Sequence, residues 1–232
     1  MRILALDTST MNSTVTIMED GRIIADYSLN QEKTHSESLV PMIGQVLQGL
    51  NLSIRDIDLI APSIGPGSFT GLRIGLTVAK TLAQFTDMKI VGISTLEALA
   101  RGVNSDGLII PLIDARGKRV FAAGYLDGEK YLEEGLFDID KLLENLCVKL
   151  KDLRQDKGKQ KLIFLGEASE IHRKKLEKHG LVMDANFNYC IGKNLAVIAR
   201  EKAMKGEFDN LYSLSPNYLR KSQAEIDYAK KH

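Results

Sequence analysis

The sequence predicts an α/β protein of two lobes, each a mixed sheet with helices. Three observations carry that prediction. Three apolar or β-branched runs come first with no helix between them. Helices and strands then alternate, and after a polar, glycine-punctuated break at Arg101–Gly107 the strand-first pattern starts again. A chain of 232 residues suits two modest lobes or one large domain, at the usual size of about 100–200 residues each.

Ile3–Leu6 reads as a buried strand and Ser13–Met18 as a β-branched one. Glu19-Asp20-Gly21 turns into a third strand, Arg22–Leu29. This meander differs from a dinucleotide-binding opening, where the first strand runs straight into a helix. His35-Ser36-Glu37 opens a helix whose Leu39, Ile43, Val46, Leu47 and Leu50 recur at helical spacing. A strand over Ile57–Ile64, a helix over Leu72–Phe85 and a strand over Ile90–Ile93 follow. Ser94 then caps a short helix through Leu99, with Glu97 completing a capping-box pattern.

Beyond the break the expected elements are strands Leu108–Ile113 and Arg119–Tyr125, a turn at Asp127-Gly128, a short strand near Lys130–Glu133 and a helix over Ile139–Leu150. A charged loop, Lys151–Lys161, precedes strand Leu162–Leu165 and helices near Ala168–Lys178 and Asn194–Lys205. The expected lobes are residues 1–103 with 212–232, and residues 104–211. The two halves share a loose order of elements without a readable repeat.

The block from Ser63 to Gly75 (Ser-Ile-Gly-Pro-Gly-Ser-Phe-Thr-Gly-Leu-Arg-Ile-Gly) puts glycines, a proline and hydroxyls into a tight turn between strand and helix. Glycine allows close backbone approach and a helix start offers unpaired N–H groups, so the turn is either an anion cradle or a sharply folded connection. It lacks the Lys of a P-loop and the spacing of a dinucleotide fingerprint.

Composition narrows the classes. Lys plus Arg number 31 against 30 Asp plus Glu, so no net basic field is available for nucleic acid. Cys147 and Cys190 have no metal-ligand spacing and are expected as buried free thiols in a reducing compartment. The first apolar run meets Asp7 too soon for a signal peptide. No run approaches the ~20 residues of a membrane span, so a cytoplasmic protein without membrane contact is expected.

Four motifs stand in order: Asp7-Thr8-Ser9-Thr10, His35-Ser36-Glu37-Ser38-Leu39-Val40-Pro41, the Gly65–Gly75 block, and Pro216-Asn217-Tyr218-Leu219-Arg220-Lys221. Together they resemble the TsaB (YeaZ) family, the dimerization subunit of the bacterial tRNA threonylcarbamoyladenosine-modification complex. The resemblance runs from Met1 to about Glu225 and is densest over the first hundred residues. It implies the two-lobed fold of actin, sugar kinases and Hsp70. It also implies a catalytic TsaD-like paralogue and a TsaE-like ATPase as partners, a homodimer when alone, and tRNA contact only through the complex. The chain itself would carry no catalytic residue, metal or cofactor and would support threonylcarbamoylation of the adenosine beside the anticodon.

The resemblance also implies where chemistry would have to sit. Catalytic relatives hold a metal with two histidines four residues apart, a spacing that suits one helix face. Thr95 and Leu99 stand at those positions here, and none of His35, His172, His179 and His232 forms such a pair. A nucleotide cleft in this superfamily uses an Asp with nearby glycines. Asp7 is present, but Thr8, Ser9 and Thr10 follow it without a glycine. In the second lobe Asp114-Ala115-Arg116-Gly117 and Gly166-Glu167-Ala168 hold the comparable turns, Glu167 adding an acid. Asp7, Thr8, Ser9, Thr10, Asp114 and Gly166 are therefore weak nucleotide candidates, and the preferred reading of the two acids is as strand-end caps of turns. His35 has no assignable catalytic partner and reads as a structural or interface residue.

Gly71, Gly75, Ala79 and Ala83 recur every four residues along the helix after the glycine block. Such a bare stripe allows close helix approach. Leu72, Leu76, Val78, Leu82 and Phe85 flank it. Gly71, Leu72, Gly75, Leu76, Ala79, Leu82 and Ala83, with His35, Leu39, Val40, Met42, Ile43 and Val46 of the preceding helix, form the expected self-association or partner surface, although one stripe must pack on the helix's own sheet. In the family this helix pair forms a four-helix bundle with the catalytic paralogue, and an isologous dimer reuses the same patch. The alternatives are an independent ATP-dependent small-molecule kinase or metallohydrolase on the same fold, and a stand-alone interaction module.

Overall fold

Alternation sends the two faces of the first strand into different cores. In β1 (Arg2–Asp7), Ile3 and Ala5 face one side and Leu4 and Leu6 the other, and all four are buried. A strand buried on both faces needs a sheet covered on both sides. The computed structural model describes residues 1–30, 35–157, 161–188 and 191–220, with side chains throughout except at 150–157. It builds that covered sheet twice.

In the first sheet, β2 (Asn12–Glu19) and β3 (Arg22–Asn30) complete the expected antiparallel meander through Asp20-Gly21. On its other edge β1 pairs in parallel with β4 (Leu59–Gly65), which pairs with β5 (Lys89–Ile90) and β6 (Ile93–Ser94). The order is β3-β2-β1-β4-β5. The second sheet holds β7 (Leu108–Asp114), β8 (Arg119–Leu126), β9 (Glu129–Asp138), β10 (Leu162–Leu165) and β11 (Leu181–Val182), ordered β11-β10-β7-β8-β9. Strand for strand this is the same arrangement, a three-strand meander extended by two parallel strands. Asp7 and Asp114 end the equivalent strands β1 and β7.

Helices α1 (His35–Gly49) and α2 (Phe69–Thr86) cover the outer face of the first sheet, meeting Leu4, Leu6, Val15 and Ile17. Helices α3 (Thr95–Arg101) and α7 (Gly192–Met204) fill the space between the sheets, where Leu96, Leu195 and Ile198 pack with Ile3, Ile109 and Ile113. Helices α4 (Ile139–Lys157), α5 (Glu167–Ile171) and α6 (Arg173–Leu176) cover the outer face of the second sheet with Leu142, Leu146 and Leu176. Each fully buried side chain of this kind contributes about 1.5–3 kcal/mol. No helix among the described residues is long and apolar enough to cross a membrane.

Several elements differ from expectation for local reasons. Helix α2 starts at Phe69 because Ser68 caps it, its hydroxyl accepting from Gly71 N at 3.2 Å. Strand β4 starts at Leu59, after a 3₁₀ turn over Ile54–Asp56. The charged run expected as a loop is helix through Lys157, since Lys, Leu, Arg and Gln are good helix formers; residues 158–160 lie outside the described residues. The helix expected over Ala168–Lys178 is two short helices broken at His172. Helix α7 packs on β1, β2 and β4, so the chain is back on the first sheet by Gly192, ahead of the boundary expected at 212. Cys147 is half-buried, its Sγ 3.4 Å from His179 Nδ1, and not fully buried as expected; Cys190 lies outside the described residues.

Candidate functional site

The turn after β1 shows what the glycine block is for. Thr8 Oγ1 donates to Gly71 O at 2.7 Å, and Ser68 N donates to Ser9 O at 2.7 Å. A Cβ on Gly67 would overlap the Ser9 carbonyl oxygen, and one on Gly71 the Thr8 carbonyl oxygen. One on Gly75 would overlap the Thr8 hydroxyl. The glycines are a socket into which the residue 8–10 turn is pressed, and the block is a folded connection whose Ser68 N–H is already committed. Backbone approach this close is what glycine permits and any side chain forbids.

Asp7 and Asp114 act alike. Asp7 Oδ1 accepts from Ser9 N at 3.0 Å, and Asp114 Oδ1 from Arg116 N at 2.9 Å, each bracing the turn two residues on. Asp7 is 3 % exposed and also accepts from Ser63 Oγ at 2.5 Å. Burial pushes its carboxyl above the usual range, against the pull of the Ser63 and Ser9 hydrogen bonds.

Between the two strand ends lies a cleft of about 730 Å³. Of the nucleotide candidates, Ser9, Thr10 and Asp114 line it, while Asp7 and Thr8 are buried behind it. Gly166 is buried too, its N–H donating to Asn188 Oδ1 at 2.5 Å. Glu167 faces the cleft; burial pushes its carboxyl up against a hydrogen bond from the Asp114 backbone, and the charges of Asp114 and Asp7 add a smaller upward push. The N–H groups of Ser68 and Gly166 are taken within the chain, and the lining of the cleft sets Asp114 and Glu167 beside Arg116 and Arg220. His35 also opens on the cleft and does not lie on an outer helix face; its Nδ1 is 2.7 Å from Ser13 Oγ. Thr95 and Leu99 are buried and line a small cavity.

The last motif closes one end of the cleft. Asn217 N donates to Ile64 O at 2.7 Å in the first lobe, and its Nδ2 donates to Glu134 Oε2 at 3.0 Å in the second. Tyr218 stacks on Phe69 with centroids 4.5 Å apart and accepts from Arg73 Nε at 2.9 Å. Arg220 reaches the Ala115 carbonyl at 2.9 Å. Residues 217–220 thus strap lobe to lobe, a role that sequence reasoning missed because its partners Glu134 and Ala115 are distant in the chain. Lys221 lies outside the described residues.

The small-residue stripe of α2 faces inward. Ala79 is 0 % exposed and Ala83 1 %, both packed among Leu4, Leu6 and Ile60 in the outer core of the first lobe. Leu39, Met42, Ile43, Val46, Leu72 and Leu76 are buried in the chain as well. The expectation that this stripe meets a partner is corrected: Gly71, Gly75, Ala79 and Ala83 let α2 lie close to its own sheet. Of the expected surface, the α1–α2 pair leaves Val40 and Leu82 outward, together with neighbours on the same side. Val40 and Phe85 are exposed, and Ile74, Val78 and Leu82 are half-buried at helical spacing. Gly44, mid-way along α1, is exposed and a Cβ there would meet nothing within 4 Å. Sequence held one unread signal for this face: a glycine inside a helix, which costs about 1 kcal/mol against alanine unless close approach requires it.

Comparisons with known proteins agree with this architecture. A family model described as TsaD, tRNA N6-adenosine threonylcarbamoyltransferase, matches residues 22–228. The tRNA threonylcarbamoyladenosine biosynthesis protein TsaB of Bacillus subtilis is 33% identical over 233 residues, covering 98% of each chain. The protein of that name in Escherichia coli is 36% identical over 138 residues, 58% of this chain and 59% of that one. The solved structure of YeaZ from Pseudomonas aeruginosa superimposes with a TM-score of 0.76 at 24% identity, covering 94% of this chain and 99% of that one. At that identity the likeness speaks for the fold.

Proposed function

We propose a function from one premise: the chain belongs to the TsaB family of tRNA threonylcarbamoyladenosine biosynthesis proteins. Within that biosynthesis the chain acts as a non-catalytic subunit. It docks a TsaD-like catalytic paralogue, works beside a TsaE-like ATPase, pairs with a second copy of itself when alone, and meets tRNA only through the complex. The observation that carries this reading is the outer side of α1 and α2, where Val40 and Phe85 are exposed, Ile74, Val78 and Leu82 are half-buried, and the exposed Gly44 of α1 bears no side chain. Apolar side chains beside a side-chain-free helix segment suit the close packing of another helix pair. The same face can serve partner and second copy, as an isologous patch does.

The cleft supports the non-catalytic part. Its Ser68 and Gly166 N–H groups are engaged within the chain, Arg220 is spent on the Ala115 carbonyl, and Asp114 and Glu167 offset the charge of Arg116 on the lining. No observation favours the kinase or metallohydrolase alternative. Reconstitution tests the proposal: tRNA, a threonylcarbamoyl-adenylate donor, the TsaD-like subunit and the ATPase are combined with and without this chain. Modification should need the catalytic subunit and be restored by adding this chain. Modification by this chain and donor alone would overturn the reading.

A further inference from the structure

The joint between the lobes contains a small cavity of about 10 Å³, bordered by Asp7, Thr10, Asn12, Thr95 and Asn188, with Leu99 and Ile191 on its apolar side; Thr10 Oγ1 already accepts from Asn12 N at 3.3 Å. Three of those polar groups are buried without a hydrogen-bond partner among the described residues: Asn12 Oδ1, Thr95 Oγ1 and Asn188 Nδ2, in side chains 5 %, 0 % and 4 % exposed. Buried polar atoms are paired in the great majority of cases, so three orphans around one small space point to something that pairs them.

Their chemistry fixes what that is. Asn12 Oδ1 is an acceptor. Asn188 Nδ2 is a donor, because its Oδ1 already accepts from Gly166 N at 2.5 Å and the amide cannot turn round. Thr95 Oγ1 can do either, and the Asp7 carboxylate beside them accepts. An anion would meet Asp7 and the Asn12 carbonyl. A cation would meet the Asn188 amide hydrogens. A space of one probe sphere admits a single water, and water alone both donates and accepts, with two to four partners being usual for a buried one.

We propose that this cavity is a binding site for one water molecule that joins the lobes. It accepts from Asn188 Nδ2 of the second lobe and donates to Asn12 Oδ1 of the first, with Thr95 of α3 as its third partner. Through Asn188 the water also couples to the turn at Gly166.

The test is a crystal structure of the natural chain at a resolution that places waters, repeated on crystals soaked in rubidium chloride. The expected result is one density peak about 2.6–3.2 Å from Asn12 Oδ1 and Asn188 Nδ2, with no anomalous rubidium signal there. An empty cavity, side chains turned to bond one another, or a rubidium peak would each overturn the proposal.

Discussion

Replacing Gly44 by arginine separates the partner face from the fold more cleanly than any other single change. Gly44 is exposed in the middle of α1, and a Cβ there meets nothing within 4 Å of its own chain. The isolated chain should therefore gain stability, because a good helix former replaces glycine at an open position for about 0.5–1 kcal/mol. For a domain of this size that corresponds to a melting point about 1–4 °C higher. Docking should lose. A long side chain at the closest helix approach forces the two backbones apart, an overpacking cost of about 1–3 kcal/mol. That is roughly a 5- to 150-fold weaker association, at about 1.4 kcal/mol per decade. Sedimentation of the isolated chain, calorimetry against the TsaD-like subunit and a thermal melt by circular dichroism read the three quantities. Gly44→Arg that melts higher and associates with undiminished affinity would refute the assignment of this face. Ala79→Arg is no substitute, because Ala79 is 0 % exposed and the change strikes the core.

Gly71→Ala should destabilise strongly, by about 3 kcal/mol or more from the Cβ overlap with Thr8 O; a melt unchanged from the natural chain would dismiss the socket. Glu167→Gln should raise the melting point at neutral pH. The folded carboxyl of Glu167 is held above its unfolded value by burial, which outweighs a hydrogen bond from the Asp114 backbone, with a smaller push from the Asp114 and Asp7 charges. Its contribution to stability is therefore complete below the unfolded value and is lost as pH rises through the folded one. The advantage of the glutamine variant should shrink toward zero as pH falls below the ordinary carboxylate range, and a gain that persists there would contradict this cause. Titration of the isolated chain with ATP and magnesium should give no binding heat, and low-micromolar affinity would mean that the cleft accepts polyphosphate after all.

The parts of the fold written in local patterns were legible. The meander is one: Ile3–Leu6, Thr14–Ile17 and the Asp20-Gly21 turn each announce themselves within a few residues. The capping of α3 by Ser94, which accepts from Glu97 N at 3.3 Å, is another. The matching order of the two sheets was not legible, because it rests on parallel pairs such as Ile3 with Leu59 and Leu108 with Leu162, with no sequence repeat to betray them. Periodicity fixed the spacing of Gly71, Gly75, Ala79 and Ala83 but not what they face. A stripe without side chains serves a sheet below as well as a helix above, and the choice is made by distant residues, Thr8 against Gly71 and Gly75 and the core of Leu4, Leu6 and Ile60 around Ala79 and Ala83. The candidate site was half readable for the same reason. Asp7 and Asp114 were found as strand-end acids, whereas the strap from Asn217 to Arg220 depends on partners in both lobes.

The return of α7 to the first sheet makes the second lobe a parenthesis in the chain. Helix α3 ends beside the start of α7, with Asn194 Nδ2 donating to Ala98 O at 2.8 Å, so the chain leaves and re-enters at one doorway. Insertions, deletions and sequence drift between residues 103 and 191 can therefore accumulate without shifting the register of any strand in the first sheet. The face around Gly44 sits on the uninterrupted text outside that parenthesis, free to stay constant while the interior is rewritten.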